Sequence, residues 1–393
     1  MNTTIISIPT VPAWIGARPG WRHMTVILFV GVTGVMIAGL QPLLLGALQL
    51  EGRLTAAQLG HAATAELLTM GIAAGLAGAW LPARRLRWIG LAAGLALAAF
   101  DLLTLKTHGE GVTLIRAAAG APSGVMIWIT IGMISRAPRP ERWSGVFLTV
   151  QTLAQFGLSA LLTAFVVGRF GANGGFIALA AMSLAAGLAS LAGPAAFAPL
   201  AHADGPSGLP NLRGWAALAA CFLFLAAIIG VWVYAEPLSR QSGHRPSVAG
   251  VAISLSLAFQ VLGGGAATLL ASRLRWFWVL AVCAGADLVL IGLYAALPGA
   301  TVFLAVSAAF GFLWLFLMPF LVPMTIVADP TRRSAMLIGG AQLLGGALGP
   351  LMASVLVTNA DARGALGLGA GCLVLAMALV AALHFRPARV PTP

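Results

Sequence analysis

Apolar positions in this chain come in long unbroken runs, with neither the strict alternation of a half-buried strand nor the one-sided stripe of a soluble helix. Twelve runs recur along the sequence. Each comes close to the length, about 20 residues, that a helix needs to cross a bilayer. They predict helices over 24–48, 57–81, 88–105, 111–135, 143–168 and 174–197, then over 214–238, 247–271, 275–297, 301–328, 333–358 and 362–385. The expected fold class is an all-α polytopic membrane protein with 12 transmembrane helices in two six-helix pseudo-repeats.

Composition agrees with that pattern. Hydrophobic residues make up 60% of the 393 and charged residues only 8%, too few to coat a soluble globule. The 48 glycines, with Ala, Ser and Thr through the apolar runs, let helices approach closely where lipid supplies no hydrophobic drive. Cys221, Cys283 and Cys372 lie inside apolar stretches without paired spacing, so neither a disulfide framework nor a zinc site is expected. Residues 1–20 carry Pro9, Pro12 and Pro19 and no apolar core, which argues against a cleaved leader.

The net charge of +12 calls for a partner, and its distribution says which. With the N-terminus in the cytoplasm, fifteen of the 22 Lys and Arg fall on cytoplasmic segments, six outside, and Arg116 within a span. The positive-inside rule therefore puts both termini in the cytoplasm, in the cell inner (plasma) membrane. The arginines stand singly or in threes at helix ends, where they meet lipid headgroups. No basic stripe interleaved with aromatics exists, so no nucleic-acid partner is expected. Trp14, Trp21, Trp88, Trp143, Trp215 and Trp276 fall near the expected interfaces as aromatic anchors.

The chain also matches itself at an offset near 190 residues. The stretch 83–88 (Ala-Arg-Arg-Leu-Arg-Trp) answers to 271–276 (Ala-Ser-Arg-Leu-Arg-Trp). At an offset of 191, Arg22 meets Arg213, Gly39 meets Gly230, Gly120 meets Gly311, Arg142 meets Arg333 and Gln151 meets Gln342. This predicts a cytoplasmic N-terminal segment 1–23, a six-helix bundle 24–197, a Pro- and Gly-rich cytoplasmic linker 198–213, a second bundle 214–385 and a cytoplasmic tail 386–393. Parallel repeats of this kind belong to transporters that rock two bundles around a central site.

The fourth predicted helix reads Arg116-Ala-Ala-Ala-Gly120, and Arg84, Arg85 and Arg87 follow the second, with Pro82 where an aspartate is common. Gly345 and the Gly349-Pro350 pair lie in the eleventh, while no Gly-Pro marks the fifth. The duplication, Arg116-x-x-x-Gly120 and the basic cluster resemble the major facilitator superfamily of secondary transporters, from whose motifs Pro82 and the lack of a Gly-Pro in the fifth helix depart. The resemblance implies a role for Arg116 in proton coupling and a cavity lined by the first, fourth, seventh and tenth helices. Here those helices offer Met36, Gln41, Met126, Trp128, Trp232, Tyr234, Phe310, Trp314 and Met318, and flanking helices add Gln151, Gln155, Gln260 and Gln342. Such a wall suits an amphipathic organic molecule, though aromatics at helical spacing also serve plain packing.

Ionisable groups at membrane depth are costly and mark functional candidates. Asp101 near the end of the third helix and Arg116 near the start of the fourth come to similar depth, which predicts an ion pair, either a static staple or a coupling element. Glu66 lies mid-span without an opposite charge in its own helix and is the leading proton carrier. Asp287 is a further coupling candidate on a peripheral helix. Glu236, before Pro237 at an outer helix end, is expected as a solvated rim residue on a cavity-lining helix.

The only lysine, Lys106, follows Leu105, so no phosphate-binding GxxxxGK[ST] loop exists and a primary pump is excluded. HExxH and GxSxG are missing as well, which disfavours the rival class of membrane enzyme or receptor. The expected function is proton-coupled movement, as efflux, of a small amphipathic neutral or cationic compound. Uptake of a nutrient by proton symport is the alternative. The expected partners are a small organic substrate, protons and membrane lipid. A monomer with no cofactor and no metal is anticipated.

Overall fold

A computed structural model describes residues 20–82, 84–137, 140–197, 209–270, 273–330 and 333–385. The described chain is helical, with α1 (Trp21–Leu50), α2 (Ala56–Trp80), α3 (Leu86–Thr104), α4 (Glu110–Ile134), α5 (Pro140–Leu161), a π-helical stretch (Leu162–Val167) and α6 (Gly168–Ser190). Then follow α7 (Leu212–Val233), the short α8 (Ala235–Gln241), α9 (Pro246–Leu270), α10 (Trp276–Ala295), α11 (Ala300–Ala328), α12 (Arg333–Ser354) and α13 (Arg363–Phe385). Among the described residues, β-structure is limited to one isolated bridge, Arg84 to Ala196. Most of the expected N-terminal segment and linker, and all of the expected tail, lie outside the described residues, as do Arg18, Arg139, Arg332, Arg386 and Arg389.

Among the described residues, ten helical stretches are long and apolar enough to cross a membrane. One of them runs over 143–190, and Gly171 interrupts it in a left-handed conformation (φ 62°, ψ −157°) that a side chain would strain. Exposed Leu95, Leu114, Val282 and Leu375 stand on outer faces that a hydrocarbon solvent suits. Prolines stand inside α1, α4, α11 and α12, and the Ala38 carbonyl freed by Pro42 accepts from Trp232 Nε1 at 3.4 Å. Trp21, Trp88 and Trp215 are exposed near helix ends, as anchors should be.

Two of the boundaries that differ from the pattern reading are set by prolines. The sixth helix stops at Ser190 rather than 197, because Pro194 denies the next turn its hydrogen bonds. The seventh stops at Val233 rather than 238, since the Pro237 ring would clash with the Val233 carbonyl, and α8 restarts beyond Tyr234.

Helix starts are set locally. Thr55 and Gln58 form a reciprocal cap on α2, and the Asn211 side chain caps α7 by accepting from the Gly214 N–H at 2.7 Å. Within the first six long helices α2 packs on α4, α3 on α6, and α1 on α4, α5 and α6. Within the later ones α9 packs on α11, α10 on α13, and α7 on α11, α12 and α13. Helix α2 also meets α12, and α5 meets α9, joining the two groups.

Candidate functional site

Three ionisable side chains from three helices meet inside the first group. Arg116 on α4 is fully buried, and both its terminal nitrogens donate to Asp101 Oδ1 on α3, at 2.9 and 3.0 Å. The same Nη2 lies 2.9 Å from Glu66 Oε1 on α2. That contact is an ion pair off the hydrogen-bond direction, for neither Glu66 oxygen has a hydrogen-bond partner. Ser183 on α6 donates to Asp101 Oδ2 at 3.3 Å, and the guanidinium carbon stands 5.2 Å over the Phe176 ring.

The anticipated Asp101 to Arg116 contact is thus present. Glu66, by contrast, is not without an opposite charge: its counter-charge comes from a different helix, which inspection of its own span could not reveal. Ser183 and Phe176 on α6 were not anticipated either. A cavity about the size of one water adjoins the cluster, lined among others by Thr33, Met36, Ser123 and Ser183.

The helices meet so closely because α4 presents glycine to α2. A Cβ on Gly120 would lie 3.0 Å from the Met70 amide nitrogen, and one on Gly124 2.8 Å from that of Ala74. Gly120 is one turn beyond Arg116, which places Glu66 within reach.

The second group has no equivalent charge cluster among the described residues. At the offset of 191, Ser307 stands where Arg116 does, and its hydroxyl shares a 2.8 Å hydrogen bond with Tyr294 on α10. Asp287 is buried in α10 with both oxygens unpartnered, apart from the cluster on α2, α3 and α4.

The two groups are sealed together at the face carrying the α1–α2 turn, called here the far face. Tyr234 Oη donates to the Ala56 carbonyl at 3.1 Å, and the Ala56 N–H donates to Asn359 Oδ1 at 2.8 Å. Ser159 and Ser254 share a 2.9 Å hydrogen bond between α5 and α9. Trp232 Nε1 donates to the Ala38 carbonyl at 3.4 Å and packs edge-on against Trp314, 5.8 Å away.

Towards the opposite face the groups part. A cavity of about 300 Å³ opens between α5, α9 and α11, with Thr149, Thr152, Gln260 and Thr268 set among Leu148, Val261, Leu315 and Met318. Among the described residues, no charged side chain lines it. Gln260 is buried and its Nε2 lacks a partner.

The remaining expected site residues divide. Gln155 bonds the Val35 carbonyl at 2.9 Å and Gln41 the Ala63 carbonyl at 3.2 Å, so their amides tie helices together. Met126 is fully buried with Val30, Leu97 and Ala186 inside the first group, not at the gap, because it packs behind Gly34 of α1. Trp128 packs edge-on to Phe197, 5.1 Å away, in that same group. Phe310 is buried beside Trp232, Tyr294 and Ser307, while Gln151 on α5 and Gln342 on α12 are half-buried. Glu236 is not a solvated rim residue: it is 6% exposed, because α8 turns it against α1. Among the described residues no group of three His, Cys, Asp or Glu can hold a metal ion, and all three cysteines are free and buried.

No protein-family model matches the chain, and no curated protein resembles it in sequence. Solved structures do. A bacterial homologue of the human lysosomal transporter Spinster, inward-facing and occupied, matches with a TM-score of 0.63 and 13% identity, covering 94% of this chain and 98% of that one. The nucleoside transporter NupG matches with a TM-score of 0.65 and 15% identity, covering 93% of this chain and 100% of that one. At such identity the likeness is one of fold. The superposition spans more than nine-tenths of this chain, which therefore shares the fold of these transporters.

Proposed function

We propose that the chain is a proton-coupled secondary transporter that exports a small amphipathic compound, neutral or cationic, by rocking two six-helix bundles over 24–197 and 214–385. In this reading α2 is a span in its own right, the stretch over 143–190 crosses twice at Gly171, and the spans number twelve. Both termini are cytoplasmic, the far face is periplasmic or extracellular, and the conformation is inward-facing.

The observation that carries the reading is a cleft sealed at one face by hydrogen bonds between the bundles and open at the other, in a protein that also buries an acid–guanidinium–acid cluster inside its first bundle. Alternating access needs that asymmetry. The cavity lining of threonine, glutamine, leucine and methionine favours a molecule with one apolar body and a few hydrogen-bonding groups. Proton transfer at the Glu66, Arg116 and Asp101 cluster supplies the coupling, with Asp287 as a further titratable group.

The test has two stages. Purified protein is screened by thermal shift against amphipathic amines, neutral aromatics and nucleosides, since a ligand of the folded state raises the melting temperature. Compounds that bind are then followed in proteoliposomes under an imposed pH gradient. Flux opposite to the proton gradient supports export, whereas flux with it assigns uptake by symport. If no compound binds and no gradient drives flux, the transporter reading fails.

A further inference from the structure

Glu236 occupies a place the coupling cluster does not explain. It sits on α8 in the second bundle, and its side chain lies directly against Gly46 of α1 in the first. A Cβ on Gly46 would stand 2.8 Å from Glu236 Cγ and 3.1 Å from Oε2. Oε2 has no hydrogen-bond partner. Two residues earlier, Tyr234 makes the bond to Ala56 that joins the bundles at this face.

We propose that Glu236 is a second proton-binding site, built into the far-face closure and loaded when that face shuts. The bundles can close only by pressing this carboxyl onto the bare Cα of Gly46, and a charge buried there without a partner is costly. When the bundles part at this face, α1 withdraws and the carboxyl meets water.

The surroundings offer little compensation. The elements packed on α8 are α1, α7 and α9. Towards this face α1 brings only the uncharged Gln49, α9 carries no charged residue, and the one arginine of α7, Arg213, is at the opposite end. Arg240, one turn along α8 itself, is the cation that acts on it; Gln241 at the end of α8 bonds Asp361, which pairs with Arg363, and His244 in the following turn engages Ser239 at 3.3 Å. Burial pushes the Glu236 carboxyl up to about 7, with Arg240 pulling weakly the other way.

The sign follows. The group binds its proton more tightly in the closed form, so acid favours closure, and the preference fades as pH rises through about 7. Closure thus takes a proton from the far side before the cleft opens to the other. The inference extends the transporter reading, but its test needs neither substrate nor gradient.

Spin labels at Lys106→Cys and Ser247→Cys, on far-face turns of the two bundles, report the separation in nanodiscs. In the parent chain, lowering the pH from 8 to 5 should raise the closed-to-open ratio on the order of a hundredfold. Glu236→Gln should stay closed at both pH values. Gly46→Ala, which sets a methyl where the carboxyl packs, should stay open at both. A parent that shows no pH response overturns the proposal, as does a Glu236→Gln chain that responds like the parent. Should Glu236→Gln not fold, a Gly46→Ala chain with the parent's response overturns it equally. A response carried by Glu236 in a protein that moves nothing in vesicles would sink the transporter reading and leave this one standing.

Discussion

Arg116 on α4 touches Glu66 on α2 with the same Nη2 atom that donates to Asp101 on α3, at 2.9 and 3.0 Å. One guanidinium serves two carboxylates, and it serves them unequally. Asp101 takes two hydrogen bonds from Arg116 and a third from Ser183, while Glu66 has only the ion contact. In the proposed function, Glu66 is the group that takes up and loses the proton, while Arg116 keeps Asp101 as its partner.

That inequality orders the damage from substitution. Removing Arg116 alone (Arg116→Gln) strands two buried carboxylates and should cost about 3–5 kcal/mol, the range for breaking a buried pair. Asp101→Asn should cost less, since Glu66 still faces the cation, and Glu66→Gln least. The triple Gln/Asn/Gln variant should recover much of the loss, because no uncompensated charge remains. Denaturant unfolding in mixed micelles measures all four. A triple variant as unstable as the sum of its singles would show that the three residues do not act as one cluster.

The far-face closure makes a second, independent prediction. Tyr234→Phe removes the hydroxyl that bonds the Ala56 carbonyl, and Asn359→Ala removes the acceptor of the Ala56 N–H. Each bond is worth about 1 kcal/mol net, so each variant should shift the closed-to-open ratio about fivefold toward opening. The label pair at 106 and 247 reads the shift directly. Unchanged distances in the double variant would mean that apolar packing alone holds this face.

Much of this was legible in the pattern of residues, and the gaps have physical reasons. Runs of apolar residues locate the long helices, and ten stretches among the described residues are long and apolar enough to cross a bilayer. Asp101 and Arg116 were paired correctly because consecutive antiparallel helices share a depth scale. The Glu66 contact was hidden because it joins α2 to α4, which are not consecutive. Yet a signal existed in Gly120, the small residue one turn past Arg116 that lets the α2 backbone come close. In sequence Pro237 reads as a helix end at the rim, whereas the chain restarts as α8 and turns the Glu236 carboxyl inward. Met126 was assigned to the cavity from its helix alone, and a helix has two buried sides.

Glycine spacing carries a third expectation. Gly120 and Gly311 are 191 residues apart, and each lets its helix press on a backbone: α4 on Met70 of α2, and α11 on Ser256 of α9, where a Cβ would stand 2.7 Å from the carbonyl carbon. Gly120→Ala and Gly311→Ala should each destabilise by about 1–3 kcal/mol through overpacking. They should differ in function, since only the α2–α4 contact sets the Glu66 to Arg116 distance. Coupled transport should fall in Gly120→Ala more than in Gly311→Ala at matched stability. Equal losses would mean that the charge cluster tolerates a spread of its helices.

The role of Glu66 can be separated from that of the fold by two assays on one preparation. Glu66→Gln keeps size and hydrogen-bonding capacity but removes titration, and Arg116 retains Asp101 as its partner. The bundles should therefore still rock, because neither the far-face bonds nor the cavity is touched. Exchange of labelled for unlabelled substrate across the vesicle membrane needs only the loaded carrier to change access, so it should persist within about threefold of the parent, a shift of under one kcal/mol. Accumulation driven by a pH gradient needs a proton bound on one side and released on the other, so it should vanish. Loss of both activities would assign Glu66 to structure. Retention of both would move the coupling to Asp101 or Asp287, of which Asp287, buried with neither oxygen hydrogen-bonded, is the next to substitute.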